Sequence, residues 1–126
     1  MVYSRILVID DDVDDQEIFV TALERAAPAT ECHTFCSGVD ALKKLSSGAL
    51  VTDIIFLDLN MPVMSGQEFL AEIKRHEALA EIPVIVLSTS AHPPTILQAK
   101  ALGAADFITK PDKFNDLVDI LKRIIH

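Results

Sequence analysis

Short apolar runs alternate along this chain with amphipathic stretches of helical period. "RILVI" (residues 5–9) is a short, nearly continuous apolar run, the pattern of a strand buried on both faces. A helical stretch follows, with Ile18, Phe19, Ala22, Leu23 and Ala26 on one face and Pro28 as its stop. Asp14, Asp15 and Glu17 in its first turn suit the positive end of a helix dipole, and Asp12 is the best N-cap candidate. "CHTFC" reads as a second strand, and Ser37 with Asp40 as a capping box for a helix carrying Ala41, Leu42 and Leu45. "DIIFLDL" (53–59) is a third, very apolar strand, and Ser65 starts a helix with Phe69, Leu70 and Ile73. "PVIVLS" (83–88) is a fourth strand with proline at its tolerated first position. Pro93 and Pro94 open a short helix that Gly103 closes, and "ADFIT" (105–109) is a fifth strand. In the last helix Phe114, Leu117, Val118, Leu121, Ile124 and Ile125 form one stripe, while Asp116, Asp119, Lys122 and Arg123 face out.

Strand then helix, five times over, predicts an α/β fold with a parallel sheet covered on both faces. Sheets of this kind bind ligands at the carboxyl ends of their strands. Those ends are Asp10-Asp11, Asp58, Ser88 and Lys110, each polar and each directly after an apolar run.

Composition narrows the setting. A chain of 126 residues fits one domain with one core. Its formal net charge of −8 argues against direct nucleic-acid binding, which calls for a basic footprint. No segment approaches the roughly 20 apolar residues of a membrane span. Asp10 cuts the first apolar run to four residues, too few for a signal peptide, so a cytoplasmic location without membrane association is expected. Cys32 and Cys36 sit about 13 Å apart if they share a strand. A disulfide needs Cα atoms within about 7 Å, so two reduced, half-buried thiols are expected rather than a bridge or a metal pair. His33, His76, His92 and His126 are scattered and receive no chemistry.

If the strand ends converge, three aspartates bring three negative charges and Lys110 returns one positive. One divalent cation would neutralise the remainder. A hard, oxygen-rich site suits Mg²⁺, with Mn²⁺ as a substitute. With a cation bound, a carboxylate could attack a phosphoryl group, because aspartate can serve as such a nucleophile. Asp12, Asp14 and Asp15 read instead as a cap and a solvated first helical turn.

"ILVIDDD", "FLDLNMPVMSG", "VIVLSTS" and "FITKP" together resemble the receiver domain of two-component response regulators, of the stand-alone, CheY-like kind. The resemblance runs across essentially the whole chain. It implies a flavodoxin-like (βα)5 sandwich with parallel strand order 2-1-3-4-5. It makes Asp58, in the pattern D-x-x-M-P-x-x-x-G ending at Gly66, the phosphoacceptor. Asp10 and Asp11 match the acidic pair that holds Mg²⁺, Asp11 directly and Asp10 largely through water. Asn60 matches the position whose backbone carbonyl joins the metal shell. Lys110 matches the lysine that contacts the phosphoryl group, and its bond to Pro111 is typically cis in the family. Ser88 matches the switch hydroxyl, with neighbouring Thr89 or Ser90 as alternatives if the register slips. Phe107 matches the aromatic switch position, often tyrosine.

The departures are small. Asp112-Lys113 intervene before Phe114, which leaves the start of the last helix open, and Phe107 lacks a hydroxyl. Asn60 and Ser90 stand where the family tunes dephosphorylation, and their small polar groups imply a phosphoryl lifetime limited by hydrolysis.

The resemblance fills residues 5 to 125, so a single domain over 1–126 without an output domain is expected. Such a protein accepts a phosphoryl group from a histidine kinase or phosphotransfer protein. It is not an enzyme beyond assisting its own phosphorylation and dephosphorylation. Its signal would pass through Ser88 and Phe107 to the face made by the fourth helix, fifth strand and last helix. The output would be a downstream protein, a relay step or a phosphorylation-dependent homodimer. Two other classes compete. A phosphatase of the haloacid dehalogenase type needs a second aspartate where Asn60 stands, and a cap insertion. A receiver-fold interaction module that is never phosphorylated would not need the intact polar set.

Overall fold

A computed structural model of the chain describes residues 3–89 and 92–125. Five strands, β1 (Arg5–Ile9), β2 (Glu31–Phe35), β3 (Ile54–Leu57), β4 (Val84–Ser88) and β5 (Asp106–Thr109), form one parallel sheet in the order β2-β1-β3-β4-β5. The helices are α1 (Val13–Ala26), α2 (Gly38–Ser46), α3 (Gly66–Arg75), α4 (Pro93–Ala101) and α5 (Phe114–Ile125). This is the flavodoxin-like arrangement expected from the sequence. β1, β3 and β4 lie inside the sheet, and their side chains are buried on both faces apart from Arg5.

Alternation along those strands splits the core in two. Ile6, Val8, Phe56 and Leu87 pack under α1 and α5, with Phe19 tilted against Phe56 at 4.9 Å between ring centroids. Leu7, Ile9, Leu57 and Val84 face α2 and α3 through Ala41, Leu45, Phe69, Leu70 and Ile73. Arg25 stacks over the Phe114 ring at 5.2 Å and ties the end of α1 to the start of α5.

Local chemistry sets the helix ends. The Asp12 carboxylate accepts from the Asp14 and Asp15 amides, so it is the N-cap of α1. Ser65 and Glu68 complete a reciprocal capping box on α3. The box expected at Ser37 is only half made. Ser37 Oγ accepts from the Asp40 amide at 3.4 Å, but the aspartate is one methylene shorter than glutamate and makes no return bond. Gly103 ends α4 with φ at +106°, and the Ala104 amide reaches back to Ala99 O at 3.0 Å. Asp112-Lys113 form the entry to α5, since Lys113 O accepts from the Asp116 and Leu117 amides.

Three expectations are corrected. Ile18 is 49 % exposed, because the buried stripe of α1 runs through Gln16, Phe19, Ala22, Leu23 and Ala26. Gln16 takes the inner place because its amide nitrogen donates to Asp10 O at 2.7 Å and Phe35 O at 3.1 Å, so its burial leaves that donor paired. Cys32 is half-buried, as expected, but Cys36 is exposed, because it lies one residue beyond the end of edge strand β2; both are free thiols. No cis peptide occurs among the described residues, so Lys110–Pro111 is trans, the form X–Pro bonds favour by about 0.5–1 kcal/mol.

Candidate functional site

The polar strand ends are held by backbone bonds that run one residue past the apolar strands. Asp10 N donates to Phe35 O at 3.0 Å, Asp58 N to Ile9 O at 3.0 Å and Lys110 N to Ser88 O at 2.7 Å. Asp10, Asp58 and Lys110 are therefore extensions of their strands rather than free loop positions.

The loop after β3 explains the glycine of the D-x-x-M-P-x-x-x-G pattern. A Cβ on Gly66 would lie 2.5 Å from Asp58 O and 2.6 Å from Leu59 Cα. The N-terminus of α3 thus presses directly on the backbone that carries Asp58, and only glycine fits. Between them, Val63 adopts φ +67° inside a three-residue turn closed by Met64 N on Pro62 O at 2.8 Å. That is the rare, strained form of the γ-turn, here on a β-branched residue.

Asp10 and Asp58 are buried and Asp11 is exposed, and one oxygen from each can be chosen so that all lie within 4.8 Å of one another. Asp10 Oδ1 accepts from the Asp12 amide at 3.0 Å, and Asp10 Oδ2 from Lys110 Nζ at 3.0 Å. Lys110 Nζ also donates to Asp15 Oδ2 at 3.0 Å and lies 4.0 Å from Asp58 Oδ1. Burial pushes the Asp58 carboxyl up to about 6; Lys110 opposes this, while Asp10 and Asp11 add to it. Burial by itself would depress the Lys110 ammonium, but its bonds to Asp10 and Asp15 and the nearby carboxylate charges outweigh it, and its pKa is raised.

Three crowded carboxylates, one of them held towards its neutral form, are a donor set that fits a hard divalent cation. Asp10, Asp11 and Asp58 would hold it. Asn60 is exposed two residues after Asp58 in the loop that follows β3, and its backbone amide donates to the Asp58 carboxylate.

The remaining expected residues stand nearby in the sheet. Ser88 is 1 % exposed at the end of β4. Register pairs Val86 with Phe107 and Ser88 with Thr109, so alternation puts Ser88, Val86 and Phe107 on one face. Phe107 is half-buried there against Leu59, Val86 and Ala99. Thr89, exposed, lines a cavity of about 440 Å³ with Asp10, Asp15, Asp58 and Lys110. Ser90 lies outside the described residues.

Two residues escaped the sequence reading. Asp15 is not merely a solvated first-turn acid, because it shares Lys110 with Asp10. Its partner is 95 positions away, which no local pattern reveals. Gln16 did leave a signal, since it falls three residues before Phe19 on the buried stripe.

Comparison with known proteins agrees with this architecture. The response regulator receiver domain family matches residues 6–122. The chain is 33% identical to the phosphate regulon regulatory protein PhoB of Pseudomonas aeruginosa, over 99% of this chain and 53% of that protein. It is 36% identical to the response regulator ARR15 of Arabidopsis thaliana, over 96% of this chain and 62% of that protein. It therefore spans a little over half the length of these relatives. Among solved structures, the phosphorylated cyanobacterial phytochrome response regulator RcpA superposes with a TM-score of 0.88 at 34% identity, covering 98% of this chain and 91% of that one. The Mn²⁺-bound response regulator Rcp1 gives 0.84 at 28% identity, over 96% and 91%. The chemotaxis regulator CheY4 of Vibrio cholerae gives 0.82 at 29% identity, over 96% and 98%. In sequence, topology and the chemistry of its strand ends, this chain belongs to the response regulator receiver domain family of two-component phosphorelay signalling.

Proposed function

We propose that this protein is a response regulator whose receiver domain accepts a phosphoryl group on Asp58 from a histidine kinase or phosphotransfer protein, in a Mg²⁺-dependent reaction. The observation that carries the reading is one buried carboxylate, Asp58, beside the acidic pair Asp10 and Asp11 and 4.0 Å from the Lys110 ammonium. Asp58 Oδ would form the new P–O bond as the donor's P–N bond breaks and the imidazole leaves with its electron pair. Lys110 would offset charge on the transferred oxygens. Asp10, Asp11, Asp58 and the Asn60 carbonyl would hold the cation, which supplies positive charge to the phosphoryl oxygens when bound. That Rcp1 was solved in a Mn²⁺-bound form supports a divalent cation as a ligand of this chain.

In this reading Ser88 and Phe107 respond together because they share one sheet face, and the change leaves the molecule through α4, β5 and α5 to a downstream protein or a second copy. The chain acts in the cytoplasm, where its kinase phosphorylates it. No helix of the described residues is long and apolar enough to cross a membrane.

Intact mass after incubation with acetyl phosphate, with and without Mg²⁺, tests the proposal. A single phosphoryl adduct that needs both Mg²⁺ and Asp58 is expected. No adduct under any condition, with Asp58→Asn indistinguishable from wild type in every assay, would overturn it in favour of an interaction module that is never phosphorylated.

A further inference from the structure

Lys110 has three N–H donors. Among the described residues one goes to Asp10 and one to Asp15, both at 3.0 Å, which leaves one for the space beside Asp58. The two anchors differ in kind. Asp10 belongs to the carboxylate group that fits a divalent cation, so a bound cation would compete with the lysine for the charge of the Asp10 carboxylate. Asp15 is outside that group. It is fixed by its own backbone, because its amide donates at 3.2 Å to the Asp12 cap of α1. Its side chain is 39% exposed, on the outer flank of a lysine that is 18% exposed. A lysine has a long flexible stem, and positioning its charge means restricting that freedom.

We propose that Asp15 is a positioning residue for phosphoryl transfer, an anchor that keeps the Lys110 ammonium beside Asp58 when a divalent cation engages Asp10. The proposal rests on the phosphoacceptor reading of Asp58. Asp15 touches neither the phosphoryl donor nor the cation; it acts through Lys110. Its neighbour Asp14 shares the same helical turn and the same cap but makes no bond to Lys110, so it supplies a control for helix-end effects.

Two measurements on the full chain test this. The first follows the ¹⁵N side-chain ammonium signal of Lys110 at saturating Mg²⁺, with no phosphodonor present. A slowly exchanging, hydrogen-bonded signal is expected in wild type and Asp14→Asn, and its loss is expected in Asp15→Asn, with recovery in Asp15→Glu. The second is the phosphorylation rate from acetyl phosphate. A half-exposed charge pair supports a decrease of about fivefold in Asp15→Asn, with Asp14→Asn at the wild-type rate and Asp15→Glu restoring most of the loss. An unchanged ammonium signal in Asp15→Asn, or a rate equal to or above wild type, would overturn the proposal; a faster rate would mean that Asp15 competes with the phosphoryl group for Lys110. If wild type takes no phosphoryl group at all, the phosphoacceptor reading fails, and the ammonium signal still decides whether Asp15 anchors the lysine.

Discussion

Removing the Asp58 charge should stabilise the metal-free protein. Folding buries this carboxylate to 8% exposure and sets it beside Asp10 and Asp11. Its pKa rises from 3.8 to about 6, so the charged form is disfavoured in the native state. At 1.36 kcal/mol per unit, that displacement corresponds to about 3 kcal/mol, an upper figure because the site can relax around the charge. Asn keeps the shape and discards the charge, so Asp58→Asn should gain up to about 3 kcal/mol at pH 7.5 in EDTA. The pH dependence carries the mechanism. Between about pH 4 and 6 the native state keeps the proton that the unfolded chain has already lost, so wild-type stability falls as pH rises through that window. The variant lacks that fall. The gap between the two should therefore be near zero below about pH 4 and fully open above about pH 6.5. Saturating Mg²⁺ should close it again, because the cation stabilises the three-carboxylate wild type more than the variant. Urea unfolding from pH 4 to 8, with EDTA and then with Mg²⁺, measures all of this. A variant no more stable than wild type at pH 7.5 in EDTA, or a gap that does not change with pH, would refute the reasoning.

Three further changes probe the scaffold. Gly66→Ala should cost about 2 kcal/mol or more in urea unfolding and shift the amide resonance of Asp58, because the new methyl meets backbone rather than a flexible side chain. Val63→Gly should raise stability by about 0.5–1 kcal/mol, since the residue is 95% exposed and the strain relieved outweighs the freedom glycine adds to the unfolded chain; a lower midpoint would show that the turn needs the valine. Gln16→Leu should lower stability by about 2 kcal/mol, since it removes the amide donor from Asp10 O and Phe35 O; a neutral result would mean that water replaces it.

Most of the fold was legible because the two periods in the sequence do not overlap. β3 and β4 are apolar without alternation, and α5 is apolar on one stripe only, so each could be assigned alone. Strand boundaries were less legible. The third apolar run extends from Asp53, yet that residue sits before the strand and gives its carboxylate to Arg5, 48 positions earlier. The strand-end polar residues could be read because parallel topology forces them to one edge of the sheet. Their mutual contacts could not. Asp15 looked like a dipole-matching acid, which it also is, because nothing near it in sequence points to Lys110.

The same contrast bears on how the site is tuned. Asp10, Asp58 and Lys110 are fixed by backbone bonds into neighbouring strands, so their positions follow from the sheet and leave little room for adjustment. Asp15 comes from a helix end instead, and it meets the lysine at its ammonium tip. A change there can alter how long Lys110 stays beside Asp58 without disturbing the strands or the three carboxylates that fit a cation. Gly66 is the opposite case, since any side chain moves the Asp58 backbone itself. Substitutions around the lysine tip should therefore shift rates by small factors in a stable fold, while substitutions under the carboxylates should register first as lost stability.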